Sequence, residues 1–335
     1  MRLGKSTTWL LRISAAGVAG FLLWNASATQ SPPRRWYKGN LHTHTLNSDG
    51  DSPPAVVAQW YKENGYQFLV LSDHNFLTEV APLNADLAEP ERFVLMQGEE
   101  VTDGFKGKPV HVNAYDLSAL VEPAHGGSLV ETIQNNIDAI RTAGALPSVN
   151  HPNFVWAITS ADLLQVDGLR MFEVYNGHPT VYNRGGGGAE SLDEMWDALL
   201  TAGRRVWGIA VDDAHYFKTF GKEYSNPGRG WVVVRAPSLS APALRAALEA
   251  GDFYASTGVE LADIRMTRDE LQIVIRPAAG SKQTTIFIGP GGEVLGRSFE
   301  DTAVYRFRGG KKYVRAVVQA ANGDNAWIQP VFRDR

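Results

Sequence analysis

Cysteine is absent from the 335 residues. Its absence excludes disulfides, cysteine-ligated zinc, iron–sulfur clusters, c-type haem and a thiol nucleophile. Any metal ion must then be held by His, Asp and Glu, and there are only 8 histidines. An excess of positive charge is also lacking. The 32 basic and 36 acidic residues give −4, so nothing marks an electrostatic nucleic-acid binder. No Gly-x-Ser-x-Gly elbow, Walker loop or His-Glu-x-x-His motif occurs, which weighs against serine-hydrolase, nucleotide-hydrolase and zincin chemistry. What is present is a globular composition, 44% hydrophobic and 20% charged, in a length that suggests about two domains.

The N-terminus reads as an address. Arg2, Lys5 and Arg12 precede an apolar run of 12 residues, Ile13 to Trp24, and the small-x-small site Ala26-Ser27-Ala28 follows. This is the three-part pattern of a secretory signal peptide over residues 1–28. The run is too short to span a bilayer comfortably. The alternative is an uncleaved anchor, and a twin-arginine route is not indicated. A secreted or periplasmic chain with no transmembrane domain is expected. Cleavage would remove three positive charges and leave −7. An anionic substrate would then need a local positive centre.

Residues 36–258 alternate strand and helix patterns. Strands are expected at 36–42, 67–71, 93–96, 109–115, 145–149, 170–175 and 205–211, with helices at 52–64, 128–143 and 192–202. Such alternation predicts an α/β domain with a mostly parallel sheet or barrel. After Gly258 the texture changes to short strand-like runs separated by Gly-Pro-Gly-Gly, Gly-Gly-Lys-Lys and Asn-Gly-Asp. A small antiparallel β domain over 259–335 is expected. The Gly185–Gly188 tract reads as a surface loop, or as a lid that brings Arg184 to a substrate anion.

The polar residues at strand ends carry the chemistry. His42-Thr43-His44 places two imidazoles on one face of an extended chain. Asp49, His74, Glu100, His111 and His151 lie in or just past the following strands, and Asp213-Ala214-His215 ends the last. Six of the 8 histidines thus fall in or at the ends of strands of one α/β domain, and the C-terminal β domain has none. In an α/β barrel the strand ends converge on one mouth. Six imidazoles and three carboxylates gathered there need compensation, and divalent ions supply it. Nine ligands exceed the four of one tetrahedral ion, so two or three ions with a bridging carboxylate fit. His125 and His178 fall outside this set and read as surface or supporting residues.

The motifs His42-Thr43-His44-Thr45, Ser48-Asp49-Gly50, Ser72-Asp73-His74-Asn75, Gly98-Glu99-Glu100, His111, Asn150-His151-Pro152 and Asp213-Ala214-His215 resemble, in order and approximate spacing, those of the PHP (polymerase and histidinol phosphatase) superfamily. The resemblance implies a distorted (β/α)₇ barrel with a di- or trinuclear zinc, manganese or iron centre. One ion would use His42, His44, Glu100 and Asp213. A second would share Glu100 and add His111 and His151, and a third would use Asp49, His74 and His215. The Gly-x-Glu pattern selects Glu100 over Glu99. Three further stretches resemble the secreted carbaryl-hydrolase-like branch: Glu173-Val174-Tyr175-Asn176-Gly177, residues 250–258, and Tyr313-Val314-Arg315-Ala316.

Such a centre acidifies water toward hydroxide and polarises a phosphoryl or carbonyl group, so no nucleophilic side chain is required. The expected activity is hydrolysis of a small-molecule phosphoester, with Glu100, Asp213 and His151 central to catalysis. Arg184 and Asn176 are candidates for substrate contact. The alternative is a metal-dependent hydrolase of carboxylic or carbamic esters, because the same centre attacks either group.

Overall fold

The computed structural model describes residues 33–278 and 280–333, together with Met1 and Gly4. The expected signal peptide, apart from Met1 and Gly4, lies outside the described residues. Among the described residues no helix is long and apolar enough to cross a membrane. Arg34–Arg335 group as one unit by their internal contacts.

In chain order the first elements are β1 (Arg35–Asn40), α1 (Pro54–Glu63), β2 (Phe68–Leu71), α2 (Val80–Leu87), β3 (Val94–Phe105), β4 (Lys108–Tyr115), α3 (Leu129–Thr142) and β5 (Leu146–Val149). There follow α4 (Ser160–Leu163), β6 (Met171–Asn176), α5 (Leu192–Thr201), β7 (Trp207–Val211), β8 (Trp231–Ala236), α6 (Ala241–Ala250) and β9 (Phe253–Ser256). The C-terminal part is all strand apart from one short turn: β10 (Glu260–Met266), β11 (Glu270–Arg276), β12 (Gln283–Ile288), β13 (Val294–Ser298), β14 (Thr302–Arg306), β15 (Tyr313–Ala320) and β16 (Asn325–Phe332).

One sheet of 13 strands runs β13-β12-β15-β16-β9-β8-β1-β2-β3-β4-β5-β6-β7, and β10-β11-β14 form a second sheet. The fold is therefore mixed α/β, but the expected closed (β/α)₇ barrel is not formed. The reason lies in β1, which pairs parallel to β2 on one side and antiparallel to β8 on the other. Both its edges are used, so β7 cannot complete the ring. A single parallel bridge, Thr43 to Ala214, links the two ends of the run just beyond the strands. The strands after Gly258 also extend the main sheet, through the antiparallel pairing of β16 with β9.

A second departure from simple alternation is the β3–β4 hairpin. Lys106 and Gly107 both have positive φ, 48° and 80°, which is the signature of a tight type I′ turn. The strand expected at 93–96 therefore continues to Phe105, and Glu100 lies inside it rather than after it.

The period-2 rule positions the core. Phe68 and Val70 of β2 point to one side, with Met96, Met171, Ile209 and Val211, while Leu69 and Leu71 pack under α1 with Val57, Ala58 and Tyr61. On the far side α3 buries Ile133, Ile137 and Ile140 against β4, and α5 lays Trp196 over β6 and β7 beside Val174 and Gly208. Helix starts follow local chemistry. Ser128 accepts from the Glu131 N–H, and Ser191 and Glu194 form a reciprocal capping box. Ser52 caps nothing: α1 begins after Pro53. The second sheet lays Leu261, Leu271, Ile273 and Ile275 on Phe287, Val314, Ala316 and Ile328 of the main sheet.

Candidate metal centre

All nine candidate ligands lie at or beyond one end of the β1–β7 run, and four overlapping groups among them have atoms that converge within 4.8 Å. These are His44, Asp49, His74 and His215; His42, His151 and Asp213; His42, His44 and Glu100; and His74, Glu100 and His111. The grouping overlaps with the sets implied by the family resemblance but is not identical. His151 stands with His42 and Asp213, and His44 joins the Asp49 set.

The local backbone explains the convergence. His42 and His44 flank Thr43, whose backbone N–H turns away to Ser72 Oγ at 3.0 Å. Both imidazoles are fully buried. Glu100 and His111 sit on the β3–β4 hairpin, where Glu100 is opposite Asn113 and His111 opposite Thr102. They are diagonal neighbours on one face. His151 and Asp213 leave β5 and β7 with positive φ values of 24° and 51°. Non-glycine residues are held in such conformations only where surrounding contacts over-determine them. Two of those contacts are visible: the His151 N–H donates to Glu173 Oε2 at 2.7 Å, and the Asp213 N–H donates to the His42 carbonyl at 3.0 Å. Gly50 is required next to Asp49. A Cβ there would stand 2.7 Å from the backbone of His44.

Glu100 is the hub. Its Oε2 lies 3.2 Å from His42 Nε2, 3.3 Å from His44 Nε2 and 3.0 Å from His74 Nδ1. Its Oε1 lies 3.0 Å from His111 Nδ1 and 3.4 Å from His151 Nε2. The two carboxylate oxygens thus serve different imidazoles. Asp213 Oδ1 approaches His42 and His44 at 3.2 and 3.1 Å. Asp49 Oδ1 stands 3.3 Å from His215 Nε2 and its Oδ2 3.6 Å from His74 Nε2. Glu99 faces the other way, accepting from the Val121 N–H, and burial pushes its carboxyl up to about 7.

The electrostatics show what the donor set requires. Burial pushes the Glu100 carboxyl up, but His74, His42 and His111 outweigh it and hold it well below the usual carboxylate range. Burial likewise raises Asp213, and His42, His44 and His215 more than offset it. Burial opposes charge on His74, yet Glu100 and Asp49 raise it to about 9. Burial drives His44 down to about 4, reinforced by His215. Imidazoles and carboxylates brought this close together are a suitable donor set for divalent ions.

Residues that sequence reasoning did not assign to the site support the ligands. Glu173 Oε1 contacts His42 Nδ1 at 2.6 Å, which leaves Nε2 for the centre. Asn150 Nδ2 donates to Glu100 Oε1 at 2.7 Å. Asp73 accepts from the Thr45 N–H at 2.7 Å and from Ser48 Oγ at 2.8 Å, pinning the loop that carries Asp49. A buried acid in an apolar strand, Glu173 in Met-Phe-Glu-Val-Tyr, was the available signal for the first of these.

A cavity of about 210 Å³ opens on the centre, lined by Asp49, His74, Glu100, His111, His151, Phe154, His178, Asp213 and His215. His178, placed outside the set by sequence, is therefore on its wall. Burial lowers its pKa. Asn176 lies behind the cavity, with Nδ2 2.8 Å from Glu173 Oε2 and 3.1 Å from Asp213 Oδ2. Arg184 is exposed and lines a different cavity, of about 1200 Å³, together with Tyr182, Asp193, Arg315 and Trp327. His125 is also remote from the centre and pairs with Asp103 at 2.7 Å.

No protein-family model and no curated protein matches the sequence. Solved structures do. A two-domain protein from Bacteroides vulgatus, containing a predicted PHP-like metal-dependent phosphoesterase, is 18% identical with a TM-score of 0.50, over 88% of this chain and 94% of that one. A protein from Bifidobacterium adolescentis, assigned as a metal-dependent phosphoesterase, is 15% identical over 56% and 89% of the two chains, with a TM-score of 0.40. A lesion-specific endonuclease from Pyrococcus furiosus is 16% identical over 64% and 56%, also at 0.40. The Bacteroides likeness extends over nearly the whole of both chains and is a likeness of fold.

Proposed function

We propose that this chain is a metal-dependent phosphoesterase acting on a small-molecule substrate, with two or three divalent ions of zinc, manganese or iron. The observation that carries the reading is Glu100, whose two oxygens face separate sets of imidazoles in a fully buried position. A bridging carboxylate needs that arrangement. The ligands would be His42, His44, Glu100 and Asp213 for one ion, Glu100, His111 and His151 for a second, and Asp49, His74 and His215 for a third. The PHP reading is supported by the fold shared with the Bacteroides protein. Assignment to the carbaryl-hydrolase-like branch rests on the sequence motifs. The run β1–β7 with its helices is an opened form of the (β/α)₇ plan, with residues 36–258 catalytic and 259–335 a β extension. Export accords with the pattern of residues 1–28.

Bound divalent ions would lower the pKa of a water and neutralise charge developing on a phosphoryl oxygen. The chain's own residues do the rest. Glu173 and Asn176 fix the orientation of His42 and Asp213, and Asn150 fixes that of Glu100. Phe154 closes one wall against water, its ring 5.3 Å from His151. Glu100, Asp213 and His151 line the cavity, and turnover depends on them most. At about 210 Å³ the cavity fits a phosphoryl head group, and the remainder of an ester would project outward.

The test joins elemental analysis to a substrate panel. Metal-replete protein is expected to hold two or three ions per chain and to hydrolyse phosphomonoesters or phosphodiesters, with loss on chelation. Fewer than one ion per chain overturns the centre. Cleavage of aryl carbamates without phosphoester turnover replaces the phosphoesterase reading with the ester alternative.

A further inference from the structure

We infer that His178 is a substrate-contacting residue: its Nε2–H donates a hydrogen bond to the phosphoryl oxygens of a ligand held in the cavity. This rests on the phosphoesterase reading of that site. Among the residues lining the cavity, His178 is the polar side chain that belongs to none of the groups able to hold an ion.

Its tautomer follows from its neighbours. The backbone N–H of Thr180 is directed at His178 Nδ1 at 3.3 Å, and Thr180 Oγ1 lies 2.8 Å from the same atom. A backbone N–H can only donate, so Nδ1 is the acceptor and the ring proton sits on Nε2. No group among the described residues accepts from Nε2. The ring stands edge-on to Phe154 and His215, with centroids 6.4 and 5.5 Å away.

The donor is also held in place. The His178 N–H donates to Asn176 Oδ1 at 2.8 Å. Asn176 is clamped in turn by Asn183, which exchanges two hydrogen bonds of 2.8 Å with its backbone. The loop that carries His178 is thus tied to the side chain that holds Asp213. A donor fixed before the ligand arrives costs no reorganisation when charge develops on the ligand. A neutral imidazole would have to become imidazolate to release this proton. The contact is therefore a hydrogen bond without proton transfer.

The test uses the full metal-loaded chain as parent, His178→Ala and His178→Gln. The readouts are metal content, calorimetric affinity for inorganic phosphate, and the imidazole tautomer by ¹⁵N–¹H correlation. Metal content is expected to be unchanged in both variants. Phosphate binding should weaken about 10- to 100-fold in His178→Ala, the scale of one hydrogen bond to a charged group. His178→Gln, which keeps an N–H near the place of Nε2, should recover part of it. Undiminished phosphate affinity in fully loaded His178→Ala overturns the inference. So does a proton found on Nδ1, a loss of metal in His178→Ala, or a parent that binds no phosphate. A parent that binds phosphate through His178 yet turns over no phosphoester overturns the phosphoesterase reading alone.

Discussion

Glu173 Oε1 lies 2.6 Å from Nδ1 of His42, with both side chains fully buried, and its other oxygen accepts the N–H of His151. One carboxylate therefore sets the ring orientation of one ligand and the backbone position of another. Supporting carboxylates of this kind typically contribute 10- to 100-fold to metal affinity. Glu173→Ala is expected to weaken metal binding by about that factor. A competition titration against a chromophoric chelator measures it. Unchanged affinity would show that Glu173 does not orient the centre.

Glu99 and Glu100 are adjacent in sequence and face opposite sides of β3. Glu100→Ala should lose metal, together with about 10³-fold or more of phosphoester turnover, because it removes the shared ligand. Glu99→Ala should keep its metal. Elemental analysis of the two variants, prepared side by side, decides the matter. Equal losses would contradict the separation seen here.

The site was more legible in the sequence than the fold around it. Ligands stood out because His and carboxylates at strand ends are costly without a purpose, and the i, i+2 spacing of His42 and His44 maps directly onto one face. From sequence Glu173 reads only as part of a strand motif, because a buried acid looks the same whether it supports a ligand or another polar group. No local spacing links His178 to the centre in the sequence; the β6–α5 loop brings it there. The open sheet could not be read from periodicity either. β8 is an apolar run, Trp-Val-Val-Val, but its antiparallel place beside β1 depends on a pairing nearly 200 residues apart in sequence. Arg184, a candidate for substrate contact by its place beside the Gly185–Gly188 tract, lines the neighbouring cavity. Strand and loop patterns do not fix on which side of a loop a long exposed side chain lies.

That placement of Arg184 has a kinetic consequence. Arg184→Ala should leave metal content unchanged and keep kcat/KM for a small phosphoester within about twofold, as expected of an exposed charge that lines a cavity other than the one at the centre. Steady-state kinetics on a small aryl phosphate checks this. A loss of tenfold or more would bring the larger cavity into the active site.

Asp103 gives a pH dependence of stability away from the ligands. Burial raises its carboxyl, but hydrogen bonds from Asn136, the Gly104 N–H and His125 outweigh it and the net shift is downward. A carboxyl lowered on folding contributes stability that is present above its unfolded pKa, about 3.9, and lost as pH falls through its folded value. Asp103→Asn should therefore be less stable than the parent by about 1–2 kcal/mol at pH 7. The gap should narrow as the pH falls below about 4. Paired urea titrations at pH 7 and below pH 4 measure it. A gap that stays constant with pH would show that the charge is not what stabilises the site.

Arg315 tests the joint between the C-terminal strands and the α/β part. It is 1% exposed, and its Nε and Nη2 donate to the two oxygens of Asp197 at 2.7 Å each, from β15 to α5. Its guanidinium lies 4.9 Å from the Trp196 ring centre and its Nη1 3.0 Å from Asp193 Oδ1. Removing one partner of a buried pair leaves the other charge uncompensated, at a cost of about 3–5 kcal/mol. Arg315→Met should lower stability by that amount. Arg315→Lys should recover only part of it, because one ammonium cannot make the two parallel bonds. Met should be rescued by Asp197→Leu in the same chain, since replacing both partners removes the stranded carboxylate as well as the lost bonds. Chemical denaturation of the parent, Arg315→Met, Asp197→Leu and the double variant forms a double-mutant cycle, and a coupling near zero would mean that the pair does not hold the two parts together.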